Sequence, residues 1–205
     1  MRLFTATAFV ALLALPGLPV LAQSFEEGLD AYNRGDYSTA LEHFKPLAEQ
    51  GVADAQSNLG EMYDFGKGVP RSYSEAEKWY RRAAEQGHAV ALFDLGYMYH
   101  RGKGVPQNYI EAAQWYRRAA ELGDRISQVF LSSMYANGKG VSQNLVMAYM
   151  LMNLVAAQGD GVDRQNRDAL GKQLTREQIN EGQRLSSDWR VGTPLPATKD
   201  TKTWP

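Results

Sequence analysis

Residues 49–84 read EQGVADAQSNLGEMYDFGKGVPRSYSEAEKWYRRAA, and residues 85–120 read EQGHAVALFDLGYMYHRGKGVPQNYIEAAQWYRRAA. The two stretches share 23 of 36 positions. Glycines at 51, 87, 123 and 159 continue the same 36-residue period along the chain. Self-similarity at a fixed period of this length is typical of solenoids built from stacked repeats. The repeat therefore decides the architecture.

Each unit carries two helical patterns. In the first, the apolar residues Ala55, Leu59, Met62 and Tyr63 are spaced to share one helix face. In the second, large rings and alanines alternate at helical spacing, from Ala76 to Ala84, and predict an apolar seam between repeats. Small residues lie in the middle of each first helix, at positions 60, 96 and 132, and indicate that a neighbouring helix crosses closely there.

A glycine-rich loop separates the two helices of a unit. It reads GKGVP at 66–70 and at 102–106, and GKGVS at 138–142. Glycine permits a positive φ after a helix end, and proline discourages helical continuation. Ser72 with Glu75, and Asn108 with Glu111, then give the spacing of a capping box. The loop is therefore predicted to be a structural connector, and no Ser or Thr follows its lysine as a phosphate-binding loop would require.

The L-G-x-M-Y, G-x-G-V-P and A-x-x-W-Y-R-R-A-A-E-x-G stretches resemble Sel-1-like repeats, which are relatives of the tetratricopeptide repeat. The resemblance implies an all-α fold, a right-handed solenoid superhelix of antiparallel helix pairs with about ten helices. The predicted organisation is a signal peptide at 1–22, a tetratricopeptide-like first hairpin at 23–50, Sel-1-like repeats at 51–86, 87–122 and 123–158, capping helices at 159–190, and a flexible tail at 191–205. A docked extension is the alternative for the tail, and Trp204 keeps it open.

The first 22 residues have one early cation, an apolar run and a small-residue end, which predicts a secretory signal peptide cleaved before Gln23. A membrane anchor is the alternative, but the apolar run is shorter than the roughly 20 residues of a spanning helix. The chain contains no cysteine, so no disulfide is available. We expect an exported protein with no integral membrane span after signal removal, and the periplasm is the most economical destination. Its near-neutral charge does not favour nucleic acid.

The first helices also define a candidate binding surface. Positions that differ between the duplicated units are not fixed by packing, and in the first helices they form one stripe that should line the concave face. This stripe predicts a groove with aromatic pockets and acidic groups, suited to an extended peptide or a partner helix. An ordinary exposed face is the alternative. The candidate groove residues are Asn58, Glu61, Phe65, Phe93, Asp94, Tyr97, His100, Arg101, Val129, Phe130 and Ser133.

Chemically reactive patterns are scarce in this sequence. The three histidines have no metal-ligand spacing, and no cofactor, metal or catalytic residue is predicted. Glu61, Asp64 and Asp94 could form a carboxylate cluster, although a solvated helix face is the favoured interpretation. The arginine pairs at 81–82 and 117–118 could bind an anionic glycan or lipid. The favoured interpretation is that their stems cover the seam and their heads pair with glutamates.

The family resemblance implies a non-enzymatic scaffold or adaptor for a protein or peptide partner. The alternative is a protein that binds or hydrolyses cell-wall peptidoglycan or β-lactams, as proposed for exported, cysteine-rich members of this family. The absence of cysteine and of a Ser-x-x-Lys pattern argues against that transfer. Self-association, in which one molecule's tail fills another's groove, is a third possibility.

Overall fold

The computed structural model describes residues 18–159 and 161–197, and over these ranges the chain is helical with no strand. Consecutive helices pair in antiparallel fashion, and each pair packs against the next to form a right-handed solenoid. This confirms the predicted fold class. The helices are α1 Leu18–Asn33, α2 Tyr37–Glu49, α3 Ala53–Phe65, α4 Tyr73–Glu85, α5 Ala89–Arg101, α6 Tyr109–Glu121, α7 Arg125–Asn137, α8 Leu145–Gln158, α9 Gly161–Gly171 and α10 Arg176–Asp188.

Each glycine-rich loop joins the two helices of one unit and also packs against the preceding unit. Gly66 ends α3 in the left-handed conformation, with φ +69°, and Gly68 follows with φ +71°. A Cβ added to Gly68 would lie 2.8 Å from the Cβ of Tyr37, the first residue of α2. The next two loops approach Tyr73 and Tyr109 in the same way. Each loop therefore rests on the first turn of the second helix of the preceding unit.

The small residues in the first helices mark the closest helix crossings, as predicted. A Cβ at Gly60 would lie 2.7 Å from the Tyr80 ring, and one at Gly96 would lie 2.8 Å from the Tyr116 ring. In the third unit the Ser132 hydroxyl donates instead to the carbonyl of Ala148, at 2.8 Å. Tyr80 and Tyr116 are 1% and 0% exposed. Because Gly60 and Gly96 have no side chain, the rings of Tyr80 and Tyr116 can pack directly against the first helices and become part of the core.

The predicted N-caps are confirmed, but the capping boxes predicted at Ser72 and Asn108 are not formed, because the backbone N–H groups of these two residues donate to the carbonyls of Tyr63 and Tyr99 instead of to a glutamate. The side chains of Ser72, Asn108 and Asn144 accept backbone N–H groups in the first turns of α4, α6 and α8. Thr175 and Gln178 form a complete capping box at α10. These caps satisfy N–H groups that have no partner within the helix, and they fix where each helix begins.

At the C-terminal end of the solenoid, α10 packs against α8, and the residues that follow, 189–195, form a strap that turns at 191–193 and lies against α6. Trp189 and Leu195 are 9% and 3% exposed and join the apolar cluster of Leu151, the residue that stands where the earlier units have tryptophan. The Gly192 N–H donates to the backbone carbonyl of Glu121 at 2.7 Å, and the Leu195 N–H donates to the side-chain carboxylate of Glu121 at 2.9 Å. Residues 191–197, expected to be part of a flexible tail, are therefore a docked extension. Trp204 lies outside the described residues.

At the other end, most of the expected signal peptide, residues 1–17, lies outside the described residues. Residues 18–22 form the first turns of α1, and Leu21 packs against the cluster that contains Leu47 and Leu59. Along the described part of the chain, no helix combines the length and the apolar character needed to cross a membrane.

Candidate functional site

The predicted groove contains a cluster of aromatic side chains from α5 and α7. The Phe93 ring lies 6.1 Å from that of Tyr97 and 5.7 Å from that of Phe130, and Tyr97 and Phe130 meet edge to face at 6.2 Å. His100 joins the cluster, with its ring 5.7 Å from Phe130. The structure thus brings four of the predicted groove residues together across two neighbouring units.

The floor of this cluster is Tyr116, which belongs to α6. Its ring centroid lies 5.1 Å from that of Phe130 and 5.8 Å from that of Phe93. The contact leaves Phe93 and Phe130 only partly exposed, whereas the sequence suggested large exposed rings. We call Phe93, Tyr97 and Phe130 the aromatic patch. It is a surface fixed by a buried ring beneath it.

The acidic residues of the groove are largely neutralised within the chain. Glu61 accepts hydrogen bonds from Lys67 Nζ, at 3.0 Å, and from the Tyr32 hydroxyl. Asp64 pairs with Lys103 Nζ at 2.6 Å and is 8% exposed. The interpretation of these carboxylates as a solvated helix face is therefore wrong, because each lies under a lysine from a glycine-rich loop.

Asp94 is the third carboxylate, and it lies on α5 beside Glu61 and Asp64. Burial, followed by the negative charges of Glu61 and Asp64, raises the pKa of Asp94 to about 7, while Lys103 opposes the shift. Near neutral pH this carboxyl is therefore divided between its protonated and ionised forms. The groove carries less negative charge than the sequence suggests.

The raised pKa of Asp94 predicts a pH-dependent stability difference between the wild type and Asp94→Asn. The carboxyl has a pKa near 3.9 in an unfolded chain, so between about pH 4 and pH 7 the folded protein binds its proton more tightly. The contribution of Asp94 to the free energy of unfolding consequently falls as the pH rises through that window. Asp94→Asn should have the same free energy of unfolding as the wild type near pH 4 and a free energy higher by about 4 kcal/mol at pH 8. Urea denaturation at both pH values measures the difference, and a gap independent of pH would contradict the assignment.

The remaining predicted groove residues lie on α3, α5 and α7. Phe65 is 60% exposed, and its ring is 5.3 Å from the ammonium groups of both Lys67 and Lys103. Arg101 is exposed at the end of α5. Asn58 donates to the carbonyl of Asp54, and Ser133 accepts from Asn137, so each makes its hydrogen bond within its own helix. Val129 is partly buried on α7.

Sequence reasoning missed the role of the loop lysines. Lys67, Lys103 and Lys139 lie over the equivalent rings of Tyr37, Tyr73 and Tyr109, with Nζ 5.8, 4.9 and 4.6 Å from the centroids, and Lys67 is also 4.6 Å from the Tyr32 ring. A cation over an aromatic face is stabilising. The 36-residue spacing shared by Lys67, Lys103 and Lys139, and separately by Tyr37, Tyr73 and Tyr109, was the available signal.

The paired arginines hold the seam between units together, which confirms the favoured interpretation. Arg81 pairs with Glu77 at 2.5 Å and donates to the Tyr99 hydroxyl at 2.7 Å. Arg117 repeats this with Glu121 at 3.4 Å and with the Tyr135 hydroxyl at 2.9 Å. The second arginine of each pair stacks on tryptophan: Arg82 lies over Trp79 at 4.5 Å, and Arg118 over Trp115 at 4.9 Å.

The described ranges contain no group of three or more His, Asp and Glu side chains that could hold a metal ion. His43 contacts Ser24 at 3.1 Å, and His88 contacts Asp54 at 3.2 Å.

The chain is similar to two solved repeat structures. One is c5321, described as a protective antigen present in uropathogenic Escherichia coli strains that displays an SLR fold. It is 33% identical, with a TM-score of 0.72 over 82% of this chain and 38% of that one. The other is a Sel1 repeat protein from Oxalobacter formigenes, 27% identical, with a TM-score of 0.70 over 84% of this chain and 79% of that one. This chain therefore spans well under half of the first protein.

A comparison with curated proteins finds no match. The sequence family described as Sel1 repeat matches residues 20–52, 53–88, 89–124 and 126–160. The first of these segments covers the hairpin that the sequence suggested was tetratricopeptide-like, so that hairpin is a fourth repeat of the same kind. With four matched repeats over most of its length, the chain belongs to the Sel1 repeat family.

Proposed function

We propose that the protein is an exported, non-enzymatic scaffold that binds a protein or peptide partner in the groove of its first helices. The observation that carries the proposal is the aromatic patch of Phe93, Tyr97 and Phe130, whose rings stand in mutual contact on the surface of α5 and α7. Rigid, partly exposed rings supply contact area at low entropic cost, and such residues are enriched in protein interfaces.

Comparison of the repeats supports a role beyond packing for these rings. The residues equivalent to Phe93 and Tyr97 in the preceding unit are Ser57 and Glu61, and the residue equivalent to Phe130 is Asp94. The same helix therefore folds with small or polar residues at these positions. Aromatic rings that the scaffold does not require are available for a partner.

The family supports the same class of function. Sel1 repeat proteins generally serve as protein-interaction scaffolds. The predicted signal peptide at 1–22 supports export, and the periplasm is the proposed compartment.

Phe93→Ala combined with Tyr97→Ala should abolish capture of the partner by the purified protein. Loss of two central aromatic contacts costs about 2 kcal/mol each in a typical interface. The measurement is co-purification from the native host, followed by titration of the recovered partner. Circular dichroism should show a helical content equal to that of the wild type.

Ile110→Ala combined with Leu122→Ala is the matched control, since these residues are 52% and 43% exposed on or just after α6 and lie outside the groove. This variant should retain the partner. Equal capture by both double variants would contradict the proposal. Hydrolysis of a chromogenic β-lactam or of purified peptidoglycan by contaminant-free protein would contradict its non-enzymatic part.

A further inference from the structure

The loop lysines differ in their counter-charges. Lys103 pairs with Asp64, which precedes it by 39 residues. The residue that precedes Lys139 by the same 39 positions is His100. The duplicated unit therefore keeps the lysine and replaces its carboxylate with an imidazole.

Lys139 and Arg101 form a basic end to the groove. Lys139 Nζ lies 4.6 Å from the Tyr109 ring, and His100 meets the same ring edge to face at 5.2 Å. The shared ring brings Lys139 near His100, and Arg101 is the next residue of α5. Burial lowers the pKa of His100, and the charges of Lys139 and Arg101 lower it further, so its neutral form is favoured. Neither Lys139 nor Arg101 has a carboxylate within ion-pair distance among the described residues.

The nearby acidic groups are engaged elsewhere. Glu61 is paired with Lys67, and Asp64 with Lys103. Asp94 is partly protonated near neutral pH. An open cleft of about 440 Å³ lies next to the aromatic patch, lined by Tyr73, Tyr97, Arg101, Lys103 and the glycines at 102 and 104. Arg101 opens into this cleft, and the Lys139 side chain is exposed, so both cations can be reached from solvent.

We propose that the partner segment carries a carboxylate that binds at Arg101 and Lys139, next to an apolar residue that packs on the aromatic patch. The inference rests on the proposed function and names the chemistry of its partner. Tyr97 and Arg101 are one helical turn apart, about 6 Å, and an extended peptide advances about 3.3 Å per residue. The carboxylate should therefore lie within about two residues of the apolar anchor.

The test uses a random peptide library displayed with free C-termini on T7 phage and selected on the immobilised protein. We expect enriched peptides to place Asp, Glu or the C-terminal carboxylate beside an aromatic or large aliphatic residue. Synthetic versions of an enriched peptide distinguish the two sources of the carboxylate, since amidation removes the terminal group and Asn or Gln replaces an acidic side chain. If the bound carboxylate is the C-terminal one, amidation should weaken binding about tenfold; if it is an acidic side chain, the Asn or Gln replacement should do so.

The variant Arg101→Glu with Lys139→Glu should weaken the same peptide by at least about tenfold, and a repeated selection on it should lose the acidic preference. Lys172→Glu with Arg176→Glu changes the net charge equally at exposed positions of the C-terminal cap, and it should bind the peptide as the wild type does. Equal weakening by the two charge reversals would mean a long-range charge effect and would overturn the assignment.

The library also separates the two proposals. Enriched peptides that require Phe93 and Tyr97 but show no acidic preference would overturn the carboxylate site and leave the groove proposal standing. A selection that yields no peptide dependent on Phe93 and Tyr97 would count against both.

Discussion

Tyr116→Ala should lower the free energy of unfolding by about 3 to 5 kcal/mol, the usual cost of deleting a fully buried aromatic side chain. Tyr116 is 0% exposed, and its ring fills the space that Gly96 leaves on α5. It also supports Phe93 and Phe130 from below. The variant would leave a cavity beneath the groove, so urea denaturation should show the loss of stability.

Tyr116→Phe is the control for this prediction. The Tyr116 hydroxyl is buried and has no hydrogen-bond partner among the described residues. Burial, together with Tyr97 and Asp94, raises the pKa of Tyr116 well above its ordinary value. Removing the hydroxyl should therefore change stability by no more than about 1 kcal/mol. A large loss in Tyr116→Phe would show that the hydroxyl, rather than the ring, holds this part of the structure.

Gly68→Ala should destabilise the protein by about 2 to 4 kcal/mol. The residue has φ +71°, where a side chain is strained, and the added Cβ would lie 2.8 Å from both the Cβ and the backbone carbonyl oxygen of Tyr37. Backbone atoms cannot move aside without disturbing the start of α2. The loop should then separate from the preceding unit.

Gly87→Ala is the control that distinguishes backbone strain at a positive φ from the steric contact with Tyr37. Gly87 also has a positive φ, +84°, but nothing lies within 4 Å of an added Cβ. Only the conformational cost of about 1 to 2 kcal/mol should remain. Thermal or urea unfolding of both variants measures the difference, and equal losses would show that the loop contact with Tyr37 contributes nothing.

The features that the sequence predicted are local and repeated. The helix pairs, the caps at Ser72 and Asn108, and the close approach at Gly96 depend on residues within one 36-residue unit, so the duplicates reveal them. The same comparison predicted that Phe93, Tyr97 and Phe130 share a surface, and the structure places their rings in contact.

Contacts between units were harder to predict. Lys103 reaches Asp64 across the boundary between two units, at a separation of 39 residues that the period does not show. The protonation of Asp94 depends on burial and on two carboxylates from another helix. The strap has no periodic pattern, so its docking through Gly192 and Leu195 could be seen only once Glu121 was placed in space.

The most direct test of the groove as a partner-binding site is site-specific photo-crosslinking in the native host, with the probe at Tyr97 in the aromatic patch. A probe at Arg82, which is exposed and stacked on Trp79 outside the groove, serves as the control. Mass spectrometry identifies the adducts. A discrete protein adduct from position 97, and none from position 82, is the predicted result; no adduct from position 97, or the same adducts from both positions, would contradict the account.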